Sequence, residues 1–464
     1  MCWACRAPTD MAVSQGLTAQ LAEFASGAQA LVLGSSVLRT VRTSFIDTAA
    51  VILAGRDAPV TSVVQGFVQA RRSTAADARV LFGELRAAAR DAALVNAVAG
   101  HALDYDDVGL QGHPSVVLVP ALLAEGERLQ ASGAAVMRAY VAGYEVWAEL
   151  IARDADVHHL KGWHPTGVFG TVAAAAAVAA LRGLGAERTR HALGLAASMA
   201  SGLIANFGSM AKPLHAGNAA AHGIDAVDLA DAGMTAAPDV LEHHAGYLAA
   251  LSPAGRVDRS PLLAPPGRGL RIETLGLTIK KYPMCFATHR VIDAALDLVR
   301  AHDVSPEQVQ SVHATIGAAQ AAMLRNHAPQ SSLEAKFSLE FAVAAALVAR
   351  KVGLAELDNG FIRRPDVQAL LDRVHLSTTD SVCATEPTLA ASDRLVILTC
   401  DGRQLDSGEV ATARGDASAP LTAAELEVKF MDCTAGLGLA VQTQLFSCLQ
   451  HLETLQTVAQ IAIV

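Results

Sequence analysis

Residues 172–181 comprise seven alanines, two valines and one leucine, with no polar side chain among them. Alanine favours the helix more than any other residue and adds almost no side-chain volume. Such a run predicts a helix that neighbours can approach on every side, at the centre of a bundle. It is too short to span a bilayer, which takes about 20 apolar residues, so no membrane segment is expected. The whole chain shares this habit: 52% of its 464 residues are hydrophobic but only 4% are aromatic. Ala, Leu and Val therefore do the packing, and the length allows two or three domains around a large core.

Further segments of helical periodicity cover 19–24, 37–53, 78–100, 121–129, 134–152 and 187–201, most of them ending at Gly or Pro. No fixed-period repeat is present, which argues against a solenoid. Residues 252–269 change character, with Ser-Pro, Pro-Pro and several glycines, and mark a domain boundary. Beyond them the periods mix. Residues 275–279 and 308–316 alternate like strands, 290–302, 335–352 and 365–374 read as helices, and 394–400 with 404–411 form a hairpin around Asp401-Gly402. From about residue 422 the helical pattern returns. The expected fold is mostly α: a helical domain in two segments, 16–270 and 414–464, with an α+β lid inserted over 271–413. Residues 1–15 are expected to be a disordered extension.

The net charge of −9 argues against a nucleic-acid or anionic-membrane binder. Seven cysteines, an odd and sparse set, suit a reducing compartment such as the cytoplasm. Cys2-Trp3-Ala4-Cys5 has no second Cys/His pair to complete a zinc site, and the first residues lack the pattern of a signal peptide.

Against this greasy background, acid–base groups and cations stand in short motifs punctuated by Gly and Pro. They are Leu103-Asp104-Tyr105-Asp106-Asp107, Gly112-His113-Pro114-Ser115, Gly162-Trp163-His164-Pro165-Thr166-Gly167, Met210-Ala211-Lys212-Pro213-Leu214-His215 and Ile279-Lys280-Lys281-Tyr282-Pro283. Charged groups are costly among apolar residues unless partnered or used. Three carboxylates at a helix end oppose its dipole, and a solvated loop is the plain alternative to a site. Asp104 close to His113 can set an imidazole tautomer. His164 precedes a helical first turn whose free N–H groups suit a carboxylate. Lys212 has no acid near it in sequence, and a snorkelling surface lysine is the alternative. On a strand Lys280 and Lys281 face opposite ways; Leu275, Leu277 and Ile279 put Lys281 on the apolar side and Lys280 toward a cleft, a solvated edge-strand pair being the alternative. His158-His159 and His243-His244 lack the spacing of a zinc protease, and neither a phosphate-binding loop nor a dinucleotide fingerprint is present.

In this order the motifs resemble the MmgE/PrpD family, whose activities include dehydration of 2-methylcitrate, decarboxylation of cis-aconitate and epimerisation of iminodisuccinate. The resemblance covers nearly the whole chain from about Gly16. It implies a homodimer with a cleft between helical domain and lid that needs no metal and no cofactor. It also implies a small polycarboxylate substrate, with Asp104, His113, His164, Lys212 and Lys280 as the catalytic set. Asp107, Thr166, His215, Tyr282, Cys285 and His289 are expected to line the pocket. Three departures are visible: Val108 stands where several relatives carry Thr or Ser, Cys285 stands near where the decarboxylase branch has His, and the segment between Asp107 and His113 is short. Proton removal beside a carboxylate builds up negative charge that fixed cations must stabilise, the part expected of Lys212 and Lys280, with His113 moving the proton. Family frequency puts a hydro-lyase first, an epimerase second and a decarboxylase third; a helical binding protein without catalysis is the alternative of another class.

Overall fold

The computed structural model describes residues 16–71, 74–262, 269–384, 386 and 388–461. The Cys2/Cys5 pair and the expected extension lie outside them, as do residues 263–268 of the Pro/Gly-rich stretch.

The alanine run lies within the helix Pro165–Arg182. Pro165 opens it at a position where a missing N–H costs nothing, and Gly183, left-handed at φ 67°, ends it. Every residue from Pro165 to Ala180 is buried. The helix is longer than the 172–181 run suggested. Among the described residues it is the one helix that alone has the length and composition to cross a membrane, and nearly all of it is buried inside the protein. Helices Ser115–Leu129, Gly133–Ala152, Ala186–Met199 and Ala211–Asp231 pack around it. Small residues set these approaches: a Cβ on Gly223 would stand 2.4 Å from the Ala174 Cβ, and one on Gly143 would stand 2.8 Å from the Ala173 carbonyl oxygen. Gly223→Val is therefore expected to cost about 1–3 kcal/mol by overpacking. A lowered denaturation midpoint would register this, and an unchanged midpoint would contradict such close helix contact.

Among the described residues two hydrophobic cores are present. The first runs from Leu17 to Leu277 and takes in Leu426, Phe430, Leu445, Leu449 and Ile461 from the end of the chain. The C-terminal helices Ala423–Cys433 and Leu439–Gln450 thus lie against Ser35–Ala54. The second core spans Tyr282 to Leu405. It is built on a four-stranded sheet ordered Val374–Thr379, Val309–Gly317, Asp393–Thr399, Gln404–Val410. The first pair is parallel and the other two are antiparallel. The parallel pair requires a crossover, which the helices between them supply. Helices His289–His302 and Leu339–Ala349 pack on each other and on this sheet.

Three local readings need correction. Residues 78–100 are not one helix: Ala78–Arg79 and Arg86–Ala87 pair as antiparallel strands, and the helix begins at Ala89. Residues 365–374 are not one helix: it ends at Leu371, and Val374 starts a strand. Residues 275–279 are not a strand. The helix Arg271–Leu275 ends at Gly276, whose φ of 58° turns the chain, and a single bridge between Val108 and Thr278 follows. Leu277 and Ile279 alternate because each drops into the interior, without a neighbouring strand.

Candidate active site

Four helix ends converge where the two cores meet. Ala89–His101 ends there, while Ser115–Leu129, Pro165–Arg182 and Ala211–Asp231 begin there, just after His113-Pro114, just after His164, and just before Lys212. Three N-termini bring the positive ends of their dipoles, a setting that favours anions.

The loop between His101 and Ser115 carries the acids. Asp104 adopts φ 54°, a left-handed conformation that a non-glycine residue keeps only when held. Three lysines hold it, each donating to one of three consecutive carbonyls: Lys336 to Leu103 at 2.9 Å, Lys280 to Asp104 at 2.6 Å, and Lys429 to Tyr105 at 2.9 Å. Tyr105 donates its hydroxyl to the Lys281 carbonyl at 2.9 Å. A tight turn follows, with Leu110 and Gln111 at φ 51° and 59° and Gly109 and Gly112 exchanging hydrogen bonds of 3.0 and 2.8 Å. It delivers His113, whose backbone N–H donates to Thr166 Oγ1 at 3.1 Å.

Each acid has its own partners. Asp104 Oδ1 lies 2.7 Å from Lys212 Nζ, and its Oδ2 lies 3.1 Å from Lys280 Nζ. Burial pushes this carboxyl up, but Lys212 and Lys280 outweigh it and hold Asp104 well below the usual carboxylate range. Asp104 in turn keeps Lys280 charged despite burial. Asp106, fully buried, accepts from His101 Nδ1 at 2.9 Å and sits 3.1 Å from His113 Nδ1. Burial raises Asp106 too, and His101 with His113 outweighs it, so it stays ionised. Asp107 accepts from the Ser115 N–H and hydroxyl, with Tyr140 beyond. Burial drives its pKa well above the ordinary value.

His113 Nδ1 also lies 2.8 Å from the Asp107 carbonyl oxygen. Both neighbours of that nitrogen are acceptors, so Nδ1 carries the proton and Nε2 presents its lone pair. The same holds for His101, whose Nε2 is buried without a hydrogen-bond partner. The His101 and His113 rings stand 4.6 Å apart, and His164 stacks 6.0 Å from His101. His164 Nδ1 meets His215 Nδ1 at 3.0 Å. Burial lowers His101 to about 4 and, with His101 as the next cause, lowers His164 as well. Phe207, 42% exposed, lies against His164 and beneath Lys212, whose Nζ is 5.1 Å from the ring centre. Burial lowers Lys336 to about 8 and raises the Cys285 thiol, which lies within the fields of Lys280, Asp104 and Lys212.

The structure thus brings together Asp104, His113, His164, Lys212 and Lys280, with Thr166, His215 and Cys285 beside them. Four expectations need correction. Asp104 does not orient His113: it stands 3.8 Å from Nε2, and Asp106 holds Nδ1 instead. Asp107 faces Ser115 and Tyr140 in the helical core. Tyr282 donates to Asp293 at 2.6 Å inside the lid and lines a separate cleft of about 440 Å³ with Lys281 and Arg414. His289 is fully buried between Tyr282 and Phe286. Lys281 pairs with Glu425 at 2.5 Å, away from the acids.

His101, Lys336 and Phe207 escaped the sequence reading, and Asp106 was seen in its acidic motif but given no part in the site. His101 reads as an ordinary cation at a helix C-terminus. Lys336 stands between Glu334 and Glu340 just before the apolar stretch 341–349 and carried no signal of its own.

Comparison with known proteins agrees with this architecture. The chain matches the MmgE/PrpD N-terminal domain over residues 19–260 and the MmgE/PrpD C-terminal domain over residues 282–450. Cis-aconitate decarboxylase of Mus musculus is 32% identical over 298 residues, 61% of this chain and 60% of that protein. The Homo sapiens cis-aconitate decarboxylase is 32% identical over 299 residues, with the same coverage. The matched part therefore spans less than two thirds of these two relatives. A cis-aconitate decarboxylase of Aspergillus terreus is 26% identical over 397 residues, 80% of each chain. The two domain matches leave the interval 261–281 between them, where the chain passes from the first core to the second, and together they cover most of the sequence: the chain belongs to the MmgE/PrpD family.

Proposed function

We propose that the protein is a lyase acting on a small tricarboxylate of the cis-aconitate type. The observation that carries this reading is the opposition, in one cleft, of two imidazoles held by a single buried carboxylate and a set of lysines clustered around Asp104. The lysines and helix N-termini are placed to receive substrate carboxylates. They also stabilise the charge that develops when an electron pair is left beside one of them, and such preorganised charge needs no rearrangement during the reaction. His113 Nε2, with its lone pair exposed, moves the proton.

Decarboxylation is the first form of the reaction, supported by the relatives' names. The bond from carbon to the departing carboxylate breaks and carbon dioxide leaves with the electron pair held on carbon; His113 takes a proton from water on Nε2, becomes an imidazolium stabilised by Asp106, and delivers that proton to the carbon. Loss or addition of water is the second form, supported by Cys285 standing near where the decarboxylase branch of the family carries His. Proton NMR in deuterated water with cis-aconitate, citrate, 2-methylcitrate and iminodisuccinate tests the reading. Carbon dioxide release with deuterium in the product supports the first form, and net water loss or addition supports the second. Deuterium exchange in iminodisuccinate without net conversion points to an epimerase, and four inert substrates overturn the proposal.

A pH effect follows from Lys336. Its charged form attracts substrate anions and is lost as pH rises through about 8, so kcat/KM is expected to fall above that pH. Lys336→Met should lower kcat/KM below pH 8 and flatten this limb; a variant that keeps both the wild-type value and the limb would remove Lys336 from the site.

A further inference from the structure

We propose that His101, His113 and His164 form a three-histidine site for a borderline transition-metal ion, Zn²⁺ or Co²⁺, and that the bound ion blocks the proton-transfer site. Ring nitrogens of the three lie within 4.8 Å of one another. Tetrahedral zinc with bonds of about 2.0–2.1 Å needs donors roughly 3.3 Å apart, so the three rings must close in on the ion. His101 Nε2 is buried without a hydrogen-bond partner, on a ring 4.6 Å from that of His113 and 6.0 Å from that of His164. Asp106 holds Nδ1 of both His101 and His113. This is the carboxylate–histidine arrangement that fixes the tautomer and raises the basicity of metal-bound imidazoles.

Asp104 oxygen also lies within reach of His101 and His113, but Lys212 and Lys280 occupy it. Water or a substrate carboxylate is left to complete the tetrahedron. The same two lysines add positive charge near the ion, so the site should bind more weakly than a structural zinc site and be reversed by chelators. An ion there takes the Nε2 lone pair that His113 uses to move a proton. The inhibition half of the proposal rests on the function proposed above; the binding half rests on geometry alone.

The test is a Co²⁺ titration of the chelator-treated full chain, followed by visible d–d absorption and calorimetry, with activity on cis-aconitate measured in parallel. One equivalent with the intense bands of a tetrahedral site is expected, and His101→Ala and His164→Ala should each weaken binding by about tenfold or more. Turnover should fall with the same midpoint as the bands rise, and a chelator should restore it. Absence of saturable absorption, or unchanged affinity in both variants, overturns the site. Saturation without loss of turnover overturns the inhibition alone. Should the variants fail to fold, wild-type crystals soaked in Zn²⁺ decide the matter: anomalous density among the three rings supports the site, and density elsewhere or none rejects it.

Discussion

Asp106→Asn is expected to lower kcat by about 10²–10⁴-fold, the range associated with losing a positioned acid–base group, while the fold survives. Asp106 accepts from Nδ1 of two histidines at once, at 2.9 Å from His101 and 3.1 Å from His113. A carboxylate has acceptors for both. Asparagine has nearly the same shape, but it offers one carbonyl oxygen and one N–H₂ group. One of the two rings must then turn its lone pair to the amide N–H and carry its proton on Nε2, toward the cleft. A base with its proton on the wrong nitrogen cannot take another. KM should change little, because Asp106 is fully buried and does not touch the cleft. Steady-state kinetics with circular dichroism of the variant check this. A kcat within a few-fold of wild type would mean that the histidine tautomers do not matter.

Lys280→Met is expected to cost about 10²–10³-fold in kcat, the scale of removing one preorganised donor to developing charge. Lys280 is 2% exposed and holds both the carboxylate and the carbonyl of Asp104, so the single variant also leaves a buried charge short of a partner and loses stability. Asp104→Asn combined with Lys280→Met separates the two effects. If Lys280 acts on the reacting substrate, the double variant regains stability but not turnover. Recovery of both would reduce Lys280 to a counter-ion for Asp104.

Much of this architecture was legible in the sequence. The alanine run 172–181, the hairpin around Asp401-Gly402 and the strand over 308–316 all carry strong local signals, and the structure has a helix, a hairpin and a strand there. The motifs that meet in the cleft were also visible, because cations and imidazoles are conspicuous in an apolar chain. Hydrogen-bond assignment was not visible. Asp104, Asp106 and Asp107 sit within four residues, and only the turn of the loop at Asp104 decides that the first meets lysines, the second histidines and the third a serine. Period-two alternation misled at 275–279 because residues that dip singly into a core repeat like a strand. Lys336 stayed hidden because its partner, the Leu103 carbonyl, lies in the other core's half of the molecule.

The central claim is that lysines anchor a polycarboxylate in this cleft while His113 moves a proton on it. The most direct measurement pairs equilibrium binding of cis-aconitate with deuterium incorporation from heavy water, in wild type, Lys212→Ala and His113→Asn. The account predicts weakened binding and slowed incorporation for Lys212→Ala. For His113→Asn it predicts binding close to wild type with incorporation abolished. Deuterium incorporation at the wild-type rate in both variants would contradict it.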